Sequence, residues 1–321
     1  MKTLILIARL FVAATFLFSG FVKLVDPIGS AYKFKEYFSA NVLDIEFLIP
    51  YALPFSILLI LAEIMLGVFL LIGFKPKFTT WSLFIITLIF LFLTWYSAYY
   101  NKVTDCGCFG DAIKLTPWET FNKNVLLIVL IGLLIVAKKY MKPLFAVNGL
   151  RWISLTSLMV FMYIIYHVLV HLPLIDFRPY AVGKNIQQGM TEIAVDGLPK
   201  VHDFYLETND GTDLTDEILN TEKVMLVVLY DIDIADVNGY EQVKKSTDLA
   251  KENGYSVYGL SSSYIDDLIS LSEKEDFKFE WLFVDGTVLK TIIRANPGFI
   301  TLHKGTVTGK WNWIDADKFK P

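Results

Sequence analysis

The sequence has few charged residues and very little cysteine. Only 19% of its 321 residues are charged, whereas 54% are hydrophobic. A soluble domain typically has about 25% charged and about 45–50% apolar residues. This composition excludes an ordinary soluble enzyme, and the abundance of apolar side chains excludes a disordered chain. Two cysteines are also too few for a disulfide framework.

The few charges are divided unevenly along the chain. Residues 1–175 contain 14 Lys and Arg against 8 Asp and Glu, and residues 176–321 contain 15 against 25. We therefore predict a mildly basic membrane part followed by an acidic, water-soluble part. The excess of acid in the second part argues against nucleic acid as a partner, because nucleic acid requires a basic face.

Five apolar segments have about the length, roughly 20 residues, that is needed to cross a bilayer. These segments are 3–25, 50–73, 79–99, 120–137 and 152–174. The membrane part is accordingly predicted to be all-α, with four helices in 1–137 and a fifth helix that follows a loop within 138–175. Membrane lipid is the expected surrounding of all five.

The positive charge between the last two segments predicts the orientation of the chain. Lys138, Lys139, Lys142 and Arg151 lie in this loop without any acidic residue, and such loops stay in the cytoplasm. The N-terminus is then cytoplasmic, and residues 176–321 lie outside. We predict a bacterial inner-membrane protein whose soluble domain is in the periplasm.

Arg9 and Glu63 are charged residues inside predicted spans, where a charge costs at least about 2.5–3.5 kcal/mol. At roughly 1.5 Å per residue they lie about 9 and 15 Å from the inner ends of their helices, close enough for two long side chains to meet. We expect a structural ion pair. The alternative is that Glu63 contacts a proton or a cofactor inside the bundle.

Two histidines of the fifth segment follow Tyr163 on one helix face. His167 and His171 continue its spacing of i, i+4 and i+8. The two imidazoles are possible contacts for a haem, a metal ion or a quinone. More often, histidines near a helix end are simply interfacial residues.

The two cysteines form a tripeptide with Gly107. A disulfide between Cys106 and Cys108 would close a ring of about eleven atoms and needs a tight turn to bring the Cα atoms within about 6.8 Å. Gly107 permits such a turn, and Gly110 lets the chain bend again. The resulting disulfide is expected to be strained and easily exchanged. Other residues of the motif are Asp105, Phe109 and Asp111.

Three other interpretations of the cysteines remain open. They are free thiols, half of a metal site, or a permanent staple of the loop. A zinc site needs four ligands, and the chain has no further cysteine to complete one, so we predict no metal. A disulfide that serves stability alone would be expected to close a longer loop.

Residues 1–137 resemble the DoxX/MauE family of small four-helix membrane proteins. The resemblance rests on Arg9, on the run Phe18-Ser19-Gly20-Phe21-Val22-Lys23, on Glu63 with Gly67 and Gly73, on the cysteine motif, and on Asn124. It implies a redox-associated membrane protein. DoxX/DoxD members are linked to quinone-coupled oxidation of sulfur compounds, and MauE members to disulfide maturation of periplasmic partners. Quinone is therefore the implied cofactor.

Residues 176–321 show strands that alternate with helices, which predicts an α/β domain. We expect strands at 201–206, 224–230, 255–260, 298–303 and 306–311, and helices at 239–252 and 263–274. This order resembles a thioredoxin-like domain of the TlpA/peroxiredoxin type. Asn296 and Pro297 match the family's cis-proline position, which implies a loop that binds a partner's extended peptide.

No cysteine occurs in 176–321, so this domain cannot perform thiol chemistry itself. The family's dithiol would follow Tyr230, where the chain has a run of three aspartates between 231 and 236. We expect a solvated acidic turn there, with cation binding as the alternative.

The leading hypothesis is a membrane thiol–disulfide oxidoreductase, or an accessory subunit of one. Cys106 and Cys108 would exchange electrons with a periplasmic thiol or disulfide protein and pass them to the quinone pool. The rival hypothesis is a non-catalytic assembly or docking factor. In that case the disulfide is structural and the second domain is a redox-inactive binding module.

Overall fold

The computed structural model describes residues 2–103, 107–194 and 197–321. Two residues of the predicted site, Asp105 and Cys106, lie outside the described residues. The chain divides into two compact units, Met1–Leu169 and Val170–Pro321.

Five helices within the described part of the first unit are long and apolar enough to cross a membrane. They are α1 (Lys2–Val25), α3 (Ala52–Ile72), α4 (Pro76–Tyr100), α5 (Pro117–Val136) and α6 (Val147–Val170), with a short α2 (Pro27–Phe38) after α1 and a 3-10 turn (Glu46–Tyr51) before α3. The predicted spans are confirmed, with ends that shift by a few residues. Exposed Leu, Ile, Phe and Trp side chains cover the outer faces of the helices, as lipid contact requires.

Helix α2 was not predicted, although its start is marked in the sequence. Asp26 caps the helix by accepting a hydrogen bond from the backbone N–H of Gly29 at 3.0 Å, and Pro27 occupies the first turn. Both are common start signals. Twelve residues with several polar side chains are too short and too polar to stand out as a membrane span.

Two glycines fix the antiparallel register of α1 and α3. A Cβ atom on Gly20 would lie 2.8 Å from the Cβ of Ile64, and a Cβ atom on Gly67 would lie 2.9 Å from Leu17 Cγ. The two backbones therefore approach closely because neither glycine has a side chain. This register places Glu63 level with the C-terminal end of α1.

We expect Gly20→Ala to destabilise the first unit by about 1–3 kcal/mol, because the added methyl group forces α1 away from α3. Gly132→Ala on α5 is the matched control, since no heavy atom lies within 4 Å of the added Cβ. Both variants are heated in detergent, and hydrogen exchange of the backbone amides of α1 and α3 reports unfolding of the first unit. Equal unfolding midpoints for the two variants would show that the close contact does not matter.

The second unit is built on a five-stranded sheet in the order β3–β2–β1–β4–β5. The strands are β1 (Val224–Val228), β2 (Ser256–Ser261), β3 (Glu280–Phe283), β4 (Gly298–His303) and β5 (Thr306–Asn312). β1, β2 and β3 are parallel to one another, whereas β4 is antiparallel to both β1 and β5. Strand β1 is buried on both faces, which explains its continuous apolar sequence.

Helices and a C-terminal turn cover the two faces of this sheet. The helices are α7 (Ile186–Thr191), α8 (Thr215–Asn220), α9 (Tyr240–Glu252), α10 (Ile265–Glu275) and α11 (Gly286–Ile292). One apolar core contains residues of α8 and α11, and the other contains residues of α9 and α10 together with Phe319. The second unit is therefore a mixed α/β domain, as predicted.

The strand predicted at 201–206 is wrong. Val201, Phe204 and Leu206 are buried, but Asp203 has φ +57° and interrupts the extended backbone. The backbone N–H of Leu206 donates to the Thr215 hydroxyl at 2.9 Å instead of to a neighbouring strand. A buried irregular segment and a buried strand have the same apolar pattern. The short edge strand β3 was not predicted.

Three charged side chains tie the start of the second unit to β5. The Asp176 carboxylate accepts hydrogen bonds from Arg178 Nε at 2.7 Å and from Lys310 Nζ at 2.6 Å. Burial by itself would raise the pKa of Asp176, but the charges and hydrogen bonds of Arg178 and Lys310 hold it below its usual value. Burial and the nearby Arg178 lower the pKa of Lys310 to about 7, against the opposing effect of Asp176.

This cluster predicts acid sensitivity of the second unit. Below about pH 4 both cations are protonated, so Asp176 is the member that titrates. Its folded-state pKa lies below the unfolded value of about 3.9, so its stabilisation is complete above that pH and is lost as the pH falls through the folded pKa. We expect the protection of β5 against hydrogen exchange to fall in this range in the wild type and to fall less in Asp176→Asn. The control variant is Asp266→Asn, which changes an exposed carboxylate and should behave as the wild type does.

Candidate functional site

The described part of the cysteine motif forms a tight turn. Gly107 and Gly110 have φ values of +64° and +49°, which only glycine adopts readily. The N–H of Gly110 donates to the carbonyl of Gly107 at 3.2 Å. Phe109 anchors the turn to the bundle, with its ring centroid 5.4 Å from that of Phe18 and 4.3 Å from Lys123 Nζ. Asp111 is exposed.

The carbonyl oxygen of Cys108 is held by two side chains of α1. Lys23 Nζ donates to it at 2.8 Å, and Ser19 Oγ lies at the same distance. Lys23 also donates to Ser19 Oγ at 2.7 Å and to Glu63 Oε2 at 2.9 Å. The three donors of the ammonium group are thus satisfied. We call Ser19, Lys23, Glu63 and Cys108 the polar cluster.

The ion pair of this cluster is almost entirely buried. The Lys23 side chain is 7% exposed and the Glu63 side chain 0%. Removing two charges from water costs several kcal/mol each, and only close pairing with further hydrogen bonds offsets that cost. Ser19 supplies such a bond, because its hydroxyl lies 3.0 Å from Glu63 Oε2. The hydroxyl can donate to only one of its two acceptors at a time.

The predicted ion pair between Arg9 and Glu63 is wrong. In the register of α1 against α3, Glu63 lies near Lys23, which is roughly 20 Å along α1 from Arg9. Arg9 instead donates to backbone carbonyl oxygens: Nε to Leu70 at 2.8 Å, Nη2 to Leu71 at 3.0 Å and Nη1 to Lys142 at 3.1 Å. It therefore caps the C-terminal end of α3, where the last carbonyls lack helical partners and favour a cation.

One oxygen of Glu63 is left over. Oε1 is buried and has no hydrogen-bond partner among the residues that the structure describes. Glu63 lines a cavity of about 20 Å³ together with Ser19, Thr87, Cys108 and Asn124. A polar cavity above about 10–15 Å³ has room for one water molecule. The cavity thus joins the carboxylate to the cysteine residue.

A second cavity, of about 60 Å³, is also lined by Cys108. Its lining includes two cations, Lys23 and Lys33, and the aromatic side chains Phe34, Tyr37 and Phe90. Aromatic walls with a few convergent polar groups are typical of small-molecule sites, although such sites usually measure about 300–1,000 Å³.

The two histidines of the fifth segment have separate surroundings. His167 lies on α6 with its ring stacked on Tyr163, at 6.3 Å between centroids. His171 follows the end of the helix in the second unit, and its Nδ1 lies 2.8 Å from Asp315 Oδ2. One ring nitrogen of His171 is therefore already engaged. A cofactor contact by either residue stays a prediction.

The predicted partner-binding loop contains a cis peptide bond between Asn296 and Pro297. The Asn296 side chain donates to the carbonyl of Asp231 at 2.7 Å, and the Asn296 carbonyl accepts from the N–H of Asp236 at 2.9 Å. The acidic turn thus occupies a backbone group that a partner peptide would use. Across residues 2–103, 107–194 and 197–321, no group of three His, Cys, Asp or Glu side chains is arranged to hold a metal ion.

Lys23 and Ser19 were not identified as site residues from the sequence. Both lie in the run that carries the family resemblance, and their spacing of i, i+4 places them on one face of α1. A lysine near the end of a membrane helix usually extends to the interface. The spacing of i, i+4 between Ser19 and Lys23 was the signal in the sequence that could have identified Lys23 as a residue that faces the bundle.

One protein-family model matches most of the first unit. Residues 1–137 match the family model described as methylamine utilisation protein MauE. The predicted resemblance of this part of the chain to the MauE family is therefore confirmed. No curated protein matches the chain.

Three solved structures are similar to parts of the chain, all at low identity. The solution structure of a thiol:disulfide interchange protein from Bacteroides sp. is 14% identical, with a TM-score of 0.27, and the match covers 33% of this chain and 74% of that one. The crystal structure of the thioredoxin domain of a thiol-disulfide oxidoreductase from Bacteroides vulgatus is 16% identical, with a TM-score of 0.26 and coverage of 33% and 81%. The crystal structure of a thioredoxin-like protein from Bacteroides caccae is 13% identical, with a TM-score of 0.28 and coverage of 85% and 83%.

Proposed function

We propose that the chain is a membrane thiol–disulfide oxidoreductase, or an accessory subunit of one, in which Cys106 and Cys108 are the reacting pair. A protein dithiol is oxidised to its disulfide while the Cys106–Cys108 disulfide is reduced to two thiols. Return of the pair to the disulfide releases two electrons and two protons, and we assign membrane quinone as their acceptor.

The observation that carries this proposal is the polar cluster around Cys108. A buried lysine and a buried carboxylate of two membrane helices converge on the residue whose thiol would react. Lys23 reaches Cys108 at its backbone carbonyl oxygen, so the buried pair fixes the backbone that carries the reacting thiol. A loop staple alone would not require a buried ion pair, which costs desolvation free energy.

The residues that line the cavity of about 60 Å³ suit a quinone, whereas its volume is smaller than a whole quinone ring requires. Lys33 and Tyr37 have polar groups that can donate to carbonyl oxygens, and Phe34 and Phe90 offer apolar walls. At about 60 Å³, it takes only the edge of a ring unless side chains move. When bound, a quinone supplies a two-electron acceptor.

The loop charges support a placement of the cysteine motif on the outer side of a bacterial inner membrane. Arg9 caps α3 beside Lys142, at the end of the bundle that carries the basic loop 138–151. The cysteine motif follows α4 at the opposite end. In this placement the reacting pair and the second unit share the periplasm, where disulfides persist.

The second unit is proposed to bind a periplasmic thiol or disulfide protein without reacting itself. Its sequence lacks cysteine, and its fold is one that commonly recognises extended peptides. A docking function of this unit is common to the leading proposal and its rival, the non-catalytic assembly factor. The two hypotheses therefore differ only at the cysteines.

The test uses the purified full-length chain in detergent with a water-soluble quinone analogue and a small dithiol. We expect catalytic formation of quinol, measured by absorbance, with a matching loss of free thiol. Quinol formation no faster than in protein-free detergent, together with a Cys106–Cys108 disulfide that resists mild reductant, would favour the rival hypothesis.

A further inference from the structure

We propose that Glu63 is the proton carrier of the cysteine site and that Lys23 is its charge-compensating partner. This inference rests on the proposed function in one respect, namely that Cys108 takes part in thiol–disulfide exchange. Glu63 then accepts the proton of the attacking thiol and returns it to the thiolate that leaves.

Burial and hydrogen bonding single out one oxygen of Glu63 for this task. Oε2 is committed to Lys23 and Ser19, whereas Oε1 has no partner among the described residues and is buried. A buried carboxylate oxygen without a hydrogen-bond donor lowers the stability of the fold. A function of Oε1 in proton transfer would explain why a glutamate occupies this position. The cavity that Glu63 and Cys108 both line has room for one bridging water molecule.

The charges of the cluster remain balanced while the proton moves. Before transfer the cluster holds Lys23 as a cation, Glu63 as an anion and a neutral Cys108 thiol. After transfer Glu63 is neutral and the anion is the thiolate of Cys108, the residue whose carbonyl oxygen Lys23 holds. The net charge is unchanged, so the low-dielectric interior imposes little additional penalty. Among the described residues, the other charged group that lines the cavity is Lys123 of α5.

The complete exchange balances in atoms and electrons. The Cys108 thiolate attacks one sulfur of a substrate disulfide, a new S–S bond forms, and the old S–S bond breaks. The electron pair of the broken bond leaves with the second substrate sulfur as a thiolate. Glu63 then donates its proton to that thiolate and becomes a carboxylate again. The reverse reaction uses the same steps.

The experiment compares two disulfides in a Cys106→Ser chain, in which Cys108 is the single thiol. An aliphatic disulfide releases a thiolate with an ordinary thiol pKa of about 8.5, which gains from a proton donor. A nitro-substituted aromatic disulfide releases a stable thiolate that needs no proton. With Glu63→Gln added, we expect the aliphatic reaction to slow by at least about tenfold. The aromatic reaction should stay the same or accelerate, since Lys23 loses its competing anion.

Two further measurements make the outcome decisive. Glu63→Asp keeps a carboxylic acid and should restore part of the aliphatic rate, whereas Glu46→Gln, an exposed carboxylate outside the cluster, should change neither rate. If Glu63→Gln does not fold, the proposal is tested on the Cys106→Ser chain that retains Glu63. Its reaction rate is measured with a series of aliphatic and aromatic disulfides. A proton carrier makes the rate depend weakly on the basicity of the leaving thiol.

Equal slowing of both reactions by Glu63→Gln, no change in either, or a steep dependence on the leaving thiol would overturn the proposal. None of these measurements involves quinone or the second cysteine. A failure of the proton carrier is therefore distinguishable from a failure of the proposed quinone-linked function.

Discussion

Replacing Lys23 with methionine should lower the stability of the first unit by about 3–5 kcal/mol, because Glu63 is left as a buried carboxylate without its counter-charge. The effect should be large because the Glu63 side chain is 0% exposed, and methionine cannot donate a hydrogen bond. Unfolding in detergent, followed through hydrogen exchange of the backbone amides of α1 and α3, measures the loss. These amides report on the first unit alone, since the second unit begins at Val170.

Two variants check the cause of that loss. Lys33→Met removes an ion pair with Glu36 whose side chains are 32% and 39% exposed, and such pairs contribute about 0–1 kcal/mol. Glu63→Gln combined with Lys23→Met removes both charges and should recover much of the stability. If Lys23→Met is no more destabilised than Lys33→Met, the buried pair does not hold α1 against α3.

Replacing either cysteine with serine should abolish quinone-linked thiol oxidation, with a decrease of at least about a hundredfold, as expected when a reacting nucleophile is removed. Both variants should also accumulate an adduct with a substrate in its disulfide form. The thiolate of the remaining cysteine attacks one sulfur of the substrate disulfide, the second sulfur leaves as a thiolate, and the mixed disulfide has no second cysteine of the chain to resolve it. Mass spectrometry of the protein under non-reducing conditions should detect that adduct.

Ser39→Ala serves as the control for this prediction, because it removes a hydroxyl from another loop on the same side of the bundle without touching the cluster. Its quinone-linked rate should equal that of the wild type. Undiminished activity in Cys106→Ser or Cys108→Ser would assign the pair to the loop staple of the rival hypothesis.

The membrane helices could be predicted from the sequence because length and apolarity alone define a span. The pairing of charges inside the bundle could not, because it depends on the register of α1 against α3. That register is set by the contact of Gly20 with Ile64, which no one-dimensional pattern reveals. Depth measured from the helix ends suggested that Arg9 and Glu63 meet, whereas each binds a different group.

In the second unit, the central strand and the hairpin of β4 with β5 were predictable from continuous or alternating apolar residues. The segment 201–206 was not, because Asp203 adopts a positive φ that the apolar pattern conceals. The position of the cis-proline followed from the family resemblance, but its engagement by the acidic turn depends on a tertiary contact between Asn296 and Asp236.

The central claim is that Cys106 and Cys108 form a reversible redox pair. The most direct measurement traps the thiols in intact membranes with a mass-shifting reagent, with and without a quinone analogue. The account predicts a mixture of thiol and disulfide whose ratio changes with the quinone. A pair that is fully oxidised under both conditions, and that mild reductant does not change, would contradict it.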